Sequence, residues 1–263
     1  MNPNVSQVSV RRVYLFPIVR LSNVLKRFGK KFVGEHAWFR LTQFKIEFKI
    51  RNQEEFWDIE LGKIFKEILP PNGFYVDVGA HDGRSSSNTY SLEAIGWTGV
   101  LVEPILTKYF RIRQVRSLTS NKIYHAACVP SSYAKDSVLM VYADLMSFSE
   151  ELSTVDQKSW IDGARSFLNS EEDIVYTYSP ARTLDSILVE SGAPVHVDFL
   201  SIDVEGAEKS VLEGLDLSHY SFSVICIEAQ NESSISKIFM NPNYSLFAQV
   251  KNNYVFQYKG QEP

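Results

Sequence analysis

The sequence predicts an α/β protein built on a mostly parallel β-sheet. Apolar strand segments alternate with amphipathic helical segments between residues 74 and 228, without internal repeats or low-complexity linkers. Such alternation places helices on both faces of a parallel sheet. A strand, a glycine turn and a helical segment also follow one another in FYVDVGAHDGRSSSNTY, residues 74–90. In this class of fold, ligands bind across the carboxyl ends of the strands.

The elements follow from hydrophobic period and turn signals. Their predicted order is helix 54–69 (ended by PPNG at 70–73), strand 74–78, helix 86–95, strand 99–103, helix 105–117, strand 122–129, strand 138–142, helix 182–191, strand 196–203, helix 206–214 and strand 222–228. Residues 246–259 predict a hairpin that turns at Asn252-Asn253. Residues 143–181 show no clear period, which predicts an insertion that serves as a lid or binds the acceptor.

The predicted domain organisation is a basic N-terminal helical extension, residues 1–53, followed by one domain, residues 54–263. The first 55 residues carry eleven Lys and Arg against four Glu, although the whole chain has a formal charge of -4. Residues 21–32 place apolar side chains on one helical face and lysines on the other. This helix either docks on its own domain or contacts a membrane surface or an acidic partner.

Composition predicts a cytoplasmic protein without general affinity for nucleic acid. The pI near 5.8 argues against a nucleic-acid partner. The two cysteines, Cys128 and Cys226, lie in apolar segments and make no disulfide framework, which indicates a reducing compartment. The apolar run at 13–19 is too short to span a bilayer.

Acidic side chains recur at the predicted strand ends. Four of the five ends carry at least one acid, and the residues there are Asp77, Gly79, Gly83, Glu103, His125, Ala126, Ala127, Asp203, Glu205, Glu208, Glu228, Gln230 and Asn231. Because the carboxyl ends of parallel strands share one edge of the sheet, these side chains are expected to meet there. An acid at the tip of the second strand, Glu103, can accept hydrogen bonds from both ribose hydroxyls of an adenosine.

The glycine turn separates two classes of adenosine cofactor. A dinucleotide site uses G-x-G-x-x-G and turns backbone N–H groups toward a pyrophosphate. Here the spacing is Gly79-x-x-x-Gly83, and Asp77 and Asp82 stand where a diphosphate would be repelled. S-adenosylmethionine (SAM) carries an ammonium and a sulfonium, so carboxylates suit its charges. The sequence therefore predicts SAM rather than a nicotinamide cofactor.

The chain resembles the FkbM family of SAM-dependent methyltransferases. The matching segments are FYVDVGAHDGRSSSNTYSLE, GWTGVLVEP, RTLDSIL, DFLSIDVEGAEKSVLEGLD and VICIE, and they span about residues 70–130 and 180–230. The resemblance implies a Rossmann-like class I methyltransferase fold with a seven-stranded sheet and a C-terminal antiparallel hairpin. It also implies O-methylation of a sugar hydroxyl in a glycan, or of a hydroxyl in another metabolite.

The resemblance also implies roles for individual residues. Asp77, Gly79 and Gly83 match the cofactor turn, and Glu103 matches the ribose acid. Ala126 and Ala127 flank the adenine, and Asp203 opens the segment that faces the reacting centre. His81 is expected to contact the methionine end of the cofactor through its backbone, or alternatively to act as a base.

Methyl transfer to a sugar hydroxyl needs a base or a metal ion that lowers the hydroxyl pKa. Asp203, Glu205 and Glu228 are the candidate bases, while Glu208 is interpreted as an acid that stabilises a helix N-terminus. Asp203, Glu228 and Asn231 (or Gln230) also form a hypothetical Mg²⁺ or Mn²⁺ site, because they offer hard oxygen ligands. A metal-free carboxylate base remains the alternative.

Two other functions stay open at this level. One is a nicotinamide-dependent oxidoreductase, which the spacing of the turn disfavours. The other is a glycan-binding or scaffold protein that keeps the fold without turnover. In the insertion, Trp160, Tyr176 and Tyr178 either stack on sugar faces or form a small core of their own.

Overall fold

The structure is a computed structural model that describes residues 58–116, 120–164 and 174–260. Its strands are β1 (Phe74–Val78), β2 (Thr98–Glu103), β3 (Lys122–His125), β4 (Ala127–Cys128), β5 (Ser137–Tyr142), β6 (Phe148–Ser149), β7 (Val175–Arg182), β8 (His196–Ile202), β9 (Ser221–Glu228), β10 (Tyr244–Val250) and β11 (Asn253–Tyr258). Its helices are α1 (Ile59–Ile68), α2 (Tyr90–Ala94), α3 (Leu106–Val115), α4 (Gln157–Ala164), α5 (Leu184–Ser191), α6 (Glu208–Glu213) and α7 (Ser236–Phe239). Single 3₁₀ turns occupy Asp144–Met146 and Glu232–Ile235.

Seven strands form the central sheet in the order β10-β11-β9-β8-β1-β2-β3. The pairs β8–β9, β1–β8, β1–β2 and β2–β3 are parallel, whereas β11 runs antiparallel to both β9 and β10. The predicted mostly parallel sheet with an antiparallel C-terminal pair is confirmed. The hairpin turns at Lys251-Asn252, one residue earlier than predicted, with Lys251 at φ 53°.

Both faces of the central sheet are buried, as the uninterrupted apolar strands require. Val76 and Val78 pack into the cluster on one face, which also contains helix α5, while Tyr75 packs into the cluster on the opposite face with Leu61 and Phe65 of α1. These side chains are at most 2 % exposed. Burying each one stabilises the fold by about 1.5–3 kcal/mol, which holds the strand ends in a rigid frame.

The helix after β1 is shorter than predicted. It was expected over 86–95, but residues 85–89 form a loop and α2 begins at Tyr90. Asp82 Oδ1 accepts from the N–H groups of Arg84 and Ser85, at 2.9 and 2.7 Å. Ser87 Oγ likewise accepts from the N–H of Tyr90. Side chains that bind nearby backbone groups in this way compete with helix formation.

The region expected as an aperiodic insertion contains part of a second sheet. Strand β7 pairs antiparallel with β5 and parallel with β4, giving the order β4-β7-β5-β6. The predicted strand 122–129 breaks at Ala126, so that β3 stays in the central sheet and β4 joins the second one. The strand β7 was missed because its side chains are mostly exposed and give no buried alternation.

Several predictions concern residues outside the described part of the chain. The N-terminal extension 1–53 and its basic helix lie there, so the boundary after residue 53 and the membrane or acidic partner stay predictions. Within the described ranges, no helix has the length and apolar character needed to cross a membrane. Cys128 and Cys226 are buried free thiols, as their apolar contexts predicted.

Candidate active site

A cleft opens at the carboxyl ends of β1, β2 and β8. Its volume is about 960 Å³, the part open to solvent included. Segments at and after the strand ends line it through residues 77–81, 85–88, 102–104 and 126–128 together with Ser201, Asp203, Val204, Glu205, Ala207 and Val211. The lining also includes Met140 of β5 and, from the insertion, Asp144, Leu145, Ser147, Ser149 and Leu152.

Gly79 allows two strand ends to meet beneath the cleft. Its φ is 85°, and a Cβ built there would lie 1.7 Å from the carbonyl oxygen of Asp203. Its N–H donates to Val102 O at 2.9 Å. Only glycine fits this backbone conformation and this approach. Gly79 therefore brings the tips of β1, β2 and β8 together.

Asp77, the residue before the last one of β1, has a buried carboxyl group and lines the cleft. Its Oδ2 accepts a hydrogen bond of 2.5 Å from Thr89 Oγ1. Burial raises the pKa of Asp77, while the Thr89 hydrogen bond and the Arg116 charge lower it in part. A cation bound in the cleft would favour the ionised form of this group.

Glu103, at the tip of β2, is 4 % exposed and also lines the cleft. Its Oε2 accepts from the N–H of His81 and its Oε1 from the N–H of Ile105, both at 2.8 Å. Burial raises its pKa to about 7, although these hydrogen bonds and nearby cations oppose the shift. Each carboxylate oxygen has a further lone pair, so both can still accept from ribose hydroxyls.

His81 makes different contacts from those expected. Its backbone N–H, which was expected to reach the cofactor, is bound to Glu103. Its ring Nε2 lies 3.3 Å from Asp144 Oδ1, and Asp144 also forms an ion pair with Lys108 of α3. His81 and Asp144 both have positive φ, 50° and 51°. The His81 side chain thus links the β1 turn to the insertion, and its expected roles toward the cofactor or as a base stay predictions.

Gly83 was predicted to bind cofactor; this stays a prediction, and the contacts of Gly83 point to a packing role. Gly83 does not line the cleft. A Cβ at this position would lie 3.2 Å from side-chain atoms of Ile112 in α3. Its carbonyl oxygen accepts from Arg116 Nε at 2.7 Å. Gly83, at φ 78°, allows the turn to pack closely against the helix.

Asp203 and Glu205 follow β8 and both line the cleft. Burial raises the pKa of Asp203 well above its ordinary value, and the charges of Glu228 and Asp77 add to the shift. Burial and the neighbouring Asp203 raise the pKa of Glu205 to about 9. Glu205 has φ 51°, a strained backbone conformation of the kind that clusters at functional sites. Each of the two carboxyl groups therefore disfavours ionisation of the other.

Glu228 does not join these acids in the cleft. It ends β9 and lies outside the lining residues, as do Gln230 and Asn231. Burial raises its pKa, and its charge raises the pKa of Asp203. Its predicted role as a catalytic base stays a prediction, and its position favours an electrostatic influence on Asp203 and Glu205.

The predicted metal site is not supported. Asn231 Oδ1 accepts hydrogen bonds from Ser234 N and Ser233 Oγ at the start of a 3₁₀ turn, which uses the oxygen that was to bind metal. Among the described residues, no group of three or more His, Cys, Asp or Glu side chains is arranged to hold a metal ion. Glu208 accepts from Gly206 N at 2.7 Å at the start of α6, in keeping with its interpretation as a helix-end acid.

The sequence matches the model of a known protein family. Residues 77–250, more than half of the chain, match the Methyltransferase FkbM domain. The chain belongs to the FkbM family of SAM-dependent methyltransferases. Its central sheet, with β11 inserted antiparallel between β9 and β10, has the class I methyltransferase fold that was predicted. No curated protein matches the sequence.

One solved structure similar to this methyltransferase is that of M. capricolum TrmK in complex with the natural cofactor product S-adenosylhomocysteine (SAH). The two chains share 9 % sequence identity with a TM-score of 0.36. The match covers 77 % of this chain and 68 % of that chain.

Sequence reasoning missed several residues that line the cleft of the methyltransferase. The loop between β1 and α2 contributes Ser85, Ser86, Ser87 and Asn88, and Asn88 Nδ2 donates to Ser201 Oγ at 3.2 Å. The run RSSSN directly after the glycine turn was the available signal. Ala126 and Ala127, which were expected beside adenine, do line the cleft.

The insertion contributes to the cleft, but its aromatic residues do not. Leu145, Ser147 and Leu152 line it, whereas Trp160, Tyr176 and Tyr178 are absent from its walls. Tyr176 and Tyr178 are 56 % and 67 % exposed on β7. Stacking of these three side chains on an acceptor sugar within the cleft is therefore not supported.

Proposed function

We propose that this methyltransferase transfers the methyl group of SAM to a hydroxyl oxygen of a sugar. The observation that carries the proposal is the charge of the cleft. Four carboxyl groups with raised pKa values line it, those of Asp77, Glu103, Asp203 and Glu205. Among the described residues that line the cleft, none is Lys or Arg. A ligand with a positive charge relieves this repulsion, whereas an anionic acceptor increases it.

The position of the cofactor follows from the strand ends. The ribose is placed at Glu103 and the adenine beside Ala126 and Ala127, with the ammonium and sulfonium toward Asp77 and Asp203. In this position each positive centre of the cofactor faces a carboxylate, and the apolar adenine faces small apolar side chains. The family membership of the chain supports this arrangement, which the residues of the cleft can accommodate.

The reaction then needs a base for the acceptor hydroxyl. Glu205 is our candidate because it lines the cleft. In the ligand-free protein its pKa of about 9 keeps it protonated at neutral pH, but the positive charge of bound SAM favours its ionised form, which is then a strong base for a carboxylate. The hydroxyl oxygen attacks the methyl carbon as the C–S bond breaks and its electron pair returns to sulfur, which leaves SAH. The hydroxyl proton goes to Glu205, and Asp203 stays ionised through its contact with the cation.

A neutral, hydroxyl-rich acceptor fits the remainder of the cleft. The serine side chains of the loop 85–87 and of Ser147 and Ser149 on the insertion supply hydrogen-bonding groups. The cleft acids disfavour a carboxylate or phosphate near the reacting oxygen. These features and the family resemblance together favour a sugar hydroxyl over an acidic acceptor.

The proposal is tested by incubating the protein with methyl-labelled SAM and a panel of neutral and acidic glycans. We expect alkali-stable methyl ethers on neutral sugars. Glu205→Gln should lower kcat by about 10²–10⁴-fold, as for loss of a general base. Glu213→Gln, on the exposed side of α6, is the matched control and should leave kcat unchanged.

Three outcomes contradict parts of this function. SAH binding without methylated product on any glycan would favour the non-catalytic glycan-binding alternative. Thermal stabilisation by NAD but not by SAH would contradict the SAM site itself. Full activity of Glu205→Gln would remove that residue as the base.

A further inference from the structure

Arg116 is a buried charged residue that methyl transfer, as described above, does not use. It follows α3 directly, and its side chain is 0 % exposed. Its guanidinium donates hydrogen bonds to Gly83 O (2.7 Å), Tyr75 Oη (2.9 Å), Glu93 Oε2 (2.6 Å), Ser87 Oγ (3.0 Å) and Thr89 Oγ1 (3.2 Å). A buried arginine without such partners would be strongly unfavourable, so this set of acceptors is a built site.

Three of these acceptors belong to the loop that lines the cleft. Gly83 stands at its beginning, Ser87 in its middle and Thr89 at its end, and Ser85 to Asn88 form part of the cleft wall. Within the loop Ser86 has φ 55°, a conformation that needs outside support. A planar guanidinium with donors in fixed directions can hold three points of a loop at once, which a lysine cannot do.

Two consecutive hydrogen bonds through Thr89 connect Arg116 to the carboxyl group of Asp77 in β1. Thr89 is 0 % exposed; its hydroxyl lies 3.2 Å from Arg116 Nη2 and donates its own proton to Asp77 Oδ2 at 2.5 Å. The hydroxyl has one proton, so it accepts from Arg116 and donates to Asp77. Thr89 therefore relays the orientation of the guanidinium to the carboxyl group of Asp77.

The charge of Arg116 is largely compensated elsewhere. Glu93 forms the ion pair, and Glu93 Oε2 also accepts from Tyr75 Oη and Asn121 Nδ2. Thr89 orients Asp77 through a neutral hydroxyl, and the charge of Arg116 partly offsets the rise in the pKa of Asp77 that burial causes.

We propose that Arg116, acting through Thr89 and the loop 83–89, is a positioning residue for the cofactor. It holds the carboxyl group of Asp77 and the serine-rich wall in the geometry that receives the positively charged end of SAM. This inference rests on the proposed function, which places SAM in the cleft. It assigns Arg116 no contact with the cofactor.

Thr89→Val tests the relay because it keeps the shape of the side chain and removes the hydroxyl. We expect the Kd for SAH, measured by calorimetry, and the KM for SAM to rise at least tenfold. The acceptor KM and the kcat at saturating SAM should change less than threefold, a split that general destabilisation would not produce. Thr89→Ser restores the hydroxyl and should return both constants to within threefold of the wild type.

Arg116→Lys tests the guanidinium, with Arg113→Lys on the exposed side of α3 as control. We expect the first to weaken SAH binding at least tenfold and the second to leave it unchanged. Where Arg116→Lys does not fold, the Thr89 pair decides. Wild-type SAH affinity in Thr89→Val, or equal losses in Thr89→Val and Thr89→Ser, would overturn the inference alone. Absence of SAH and SAM binding in the wild type would overturn the proposed function and the inference with it.

Discussion

Gly79 is a residue of the site at which a side chain cannot be accommodated. Its N–H is bound to β2 and its α-carbon faces the backbone of Asp203 after β8, so three strand ends depend on one missing side chain. The same turn places Gly83 against α3 instead of the cleft. Two glycines four residues apart thus serve different contacts, one between strands and one between a loop and a helix.

Gly79→Ala should destabilise the fold by about 3 kcal/mol more than Gly96→Ala, because added volume in a packed contact cannot be accommodated. Both glycines have positive φ, 85° and 102°, but a Cβ at Gly96 meets no atom within 4 Å. Urea denaturation measures both free energies of unfolding. Equal losses would mean that the positive φ alone, and not the strand contact, requires glycine at position 79.

At the scale of elements, the insertion and the loop after β8 are joined by specific hydrogen bonds. Ser153 Oγ donates to Glu205 O at 2.8 Å, and Thr154 N donates to Gly206 O at 3.0 Å. A Cβ on Gly206, which has φ 93°, would lie 2.5 Å from Ser153 Oγ. The insertion thereby supports the strained backbone that carries the candidate base.

Ser153→Ala should lower kcat about threefold to tenfold while leaving the Kd for SAH unchanged. The substitution removes about 1 kcal/mol of hydrogen bonding from the Glu205 backbone, which holds the base in place. Ser131→Ala is the control, because Ser131 Oγ bonds a backbone oxygen remote from the cleft, that of Glu213. Steady-state kinetics and calorimetry measure the two constants. A loss of SAH affinity instead of kcat would assign Ser153 to the cofactor side.

At the scale of the whole molecule, folding buries several carboxyl groups close together in the cleft. Without a ligand, burial and mutual repulsion disfavour their ionised forms. Glu103 and Glu205 have folded pKa values of about 7 and about 9, against an ordinary value of 4.5. Between the ordinary and the folded values, the folded chain binds more protons than the unfolded chain. These groups therefore cost stability progressively as the pH rises through that interval.

The melting temperature of the ligand-free protein should accordingly fall between about pH 6 and about pH 9, in part because Glu205 loses its proton over this interval. Glu205→Gln should reduce the fall by about 3 °C or more, equivalent to roughly 1 kcal/mol. Glu213→Gln should follow the wild type. Saturating SAM, a cation, should restore more stability at the higher pH than at the lower one. The same fall in Glu205→Gln as in the wild type would show that Glu205 is not protonated in the folded state.

The sequence by itself determined the order of the main elements, the parallel sheet, and the tip acids Asp77, Glu103, Asp203 and Glu205. These are local or periodic properties: apolar runs select buried strands, and the carboxyl ends of parallel strands must share an edge. The family segments lie in the same local runs, and the family match agrees with them.

Only the tertiary structure decided which candidates share the cleft. Gly83 stands close in sequence to true lining residues, yet it packs against α3. Glu228 and Asn231 follow a strand that ends outside the cleft lining, and Asn231 Oδ1 accepts a local hydrogen bond from Ser234 N. Arg116 and Asp144 reach the site from distant positions in the sequence, through contacts that no periodic pattern records. Side-chain direction and long-range approach depend on the assembled backbone, which is why the strand-end acids could be read from the chain and their surroundings could not.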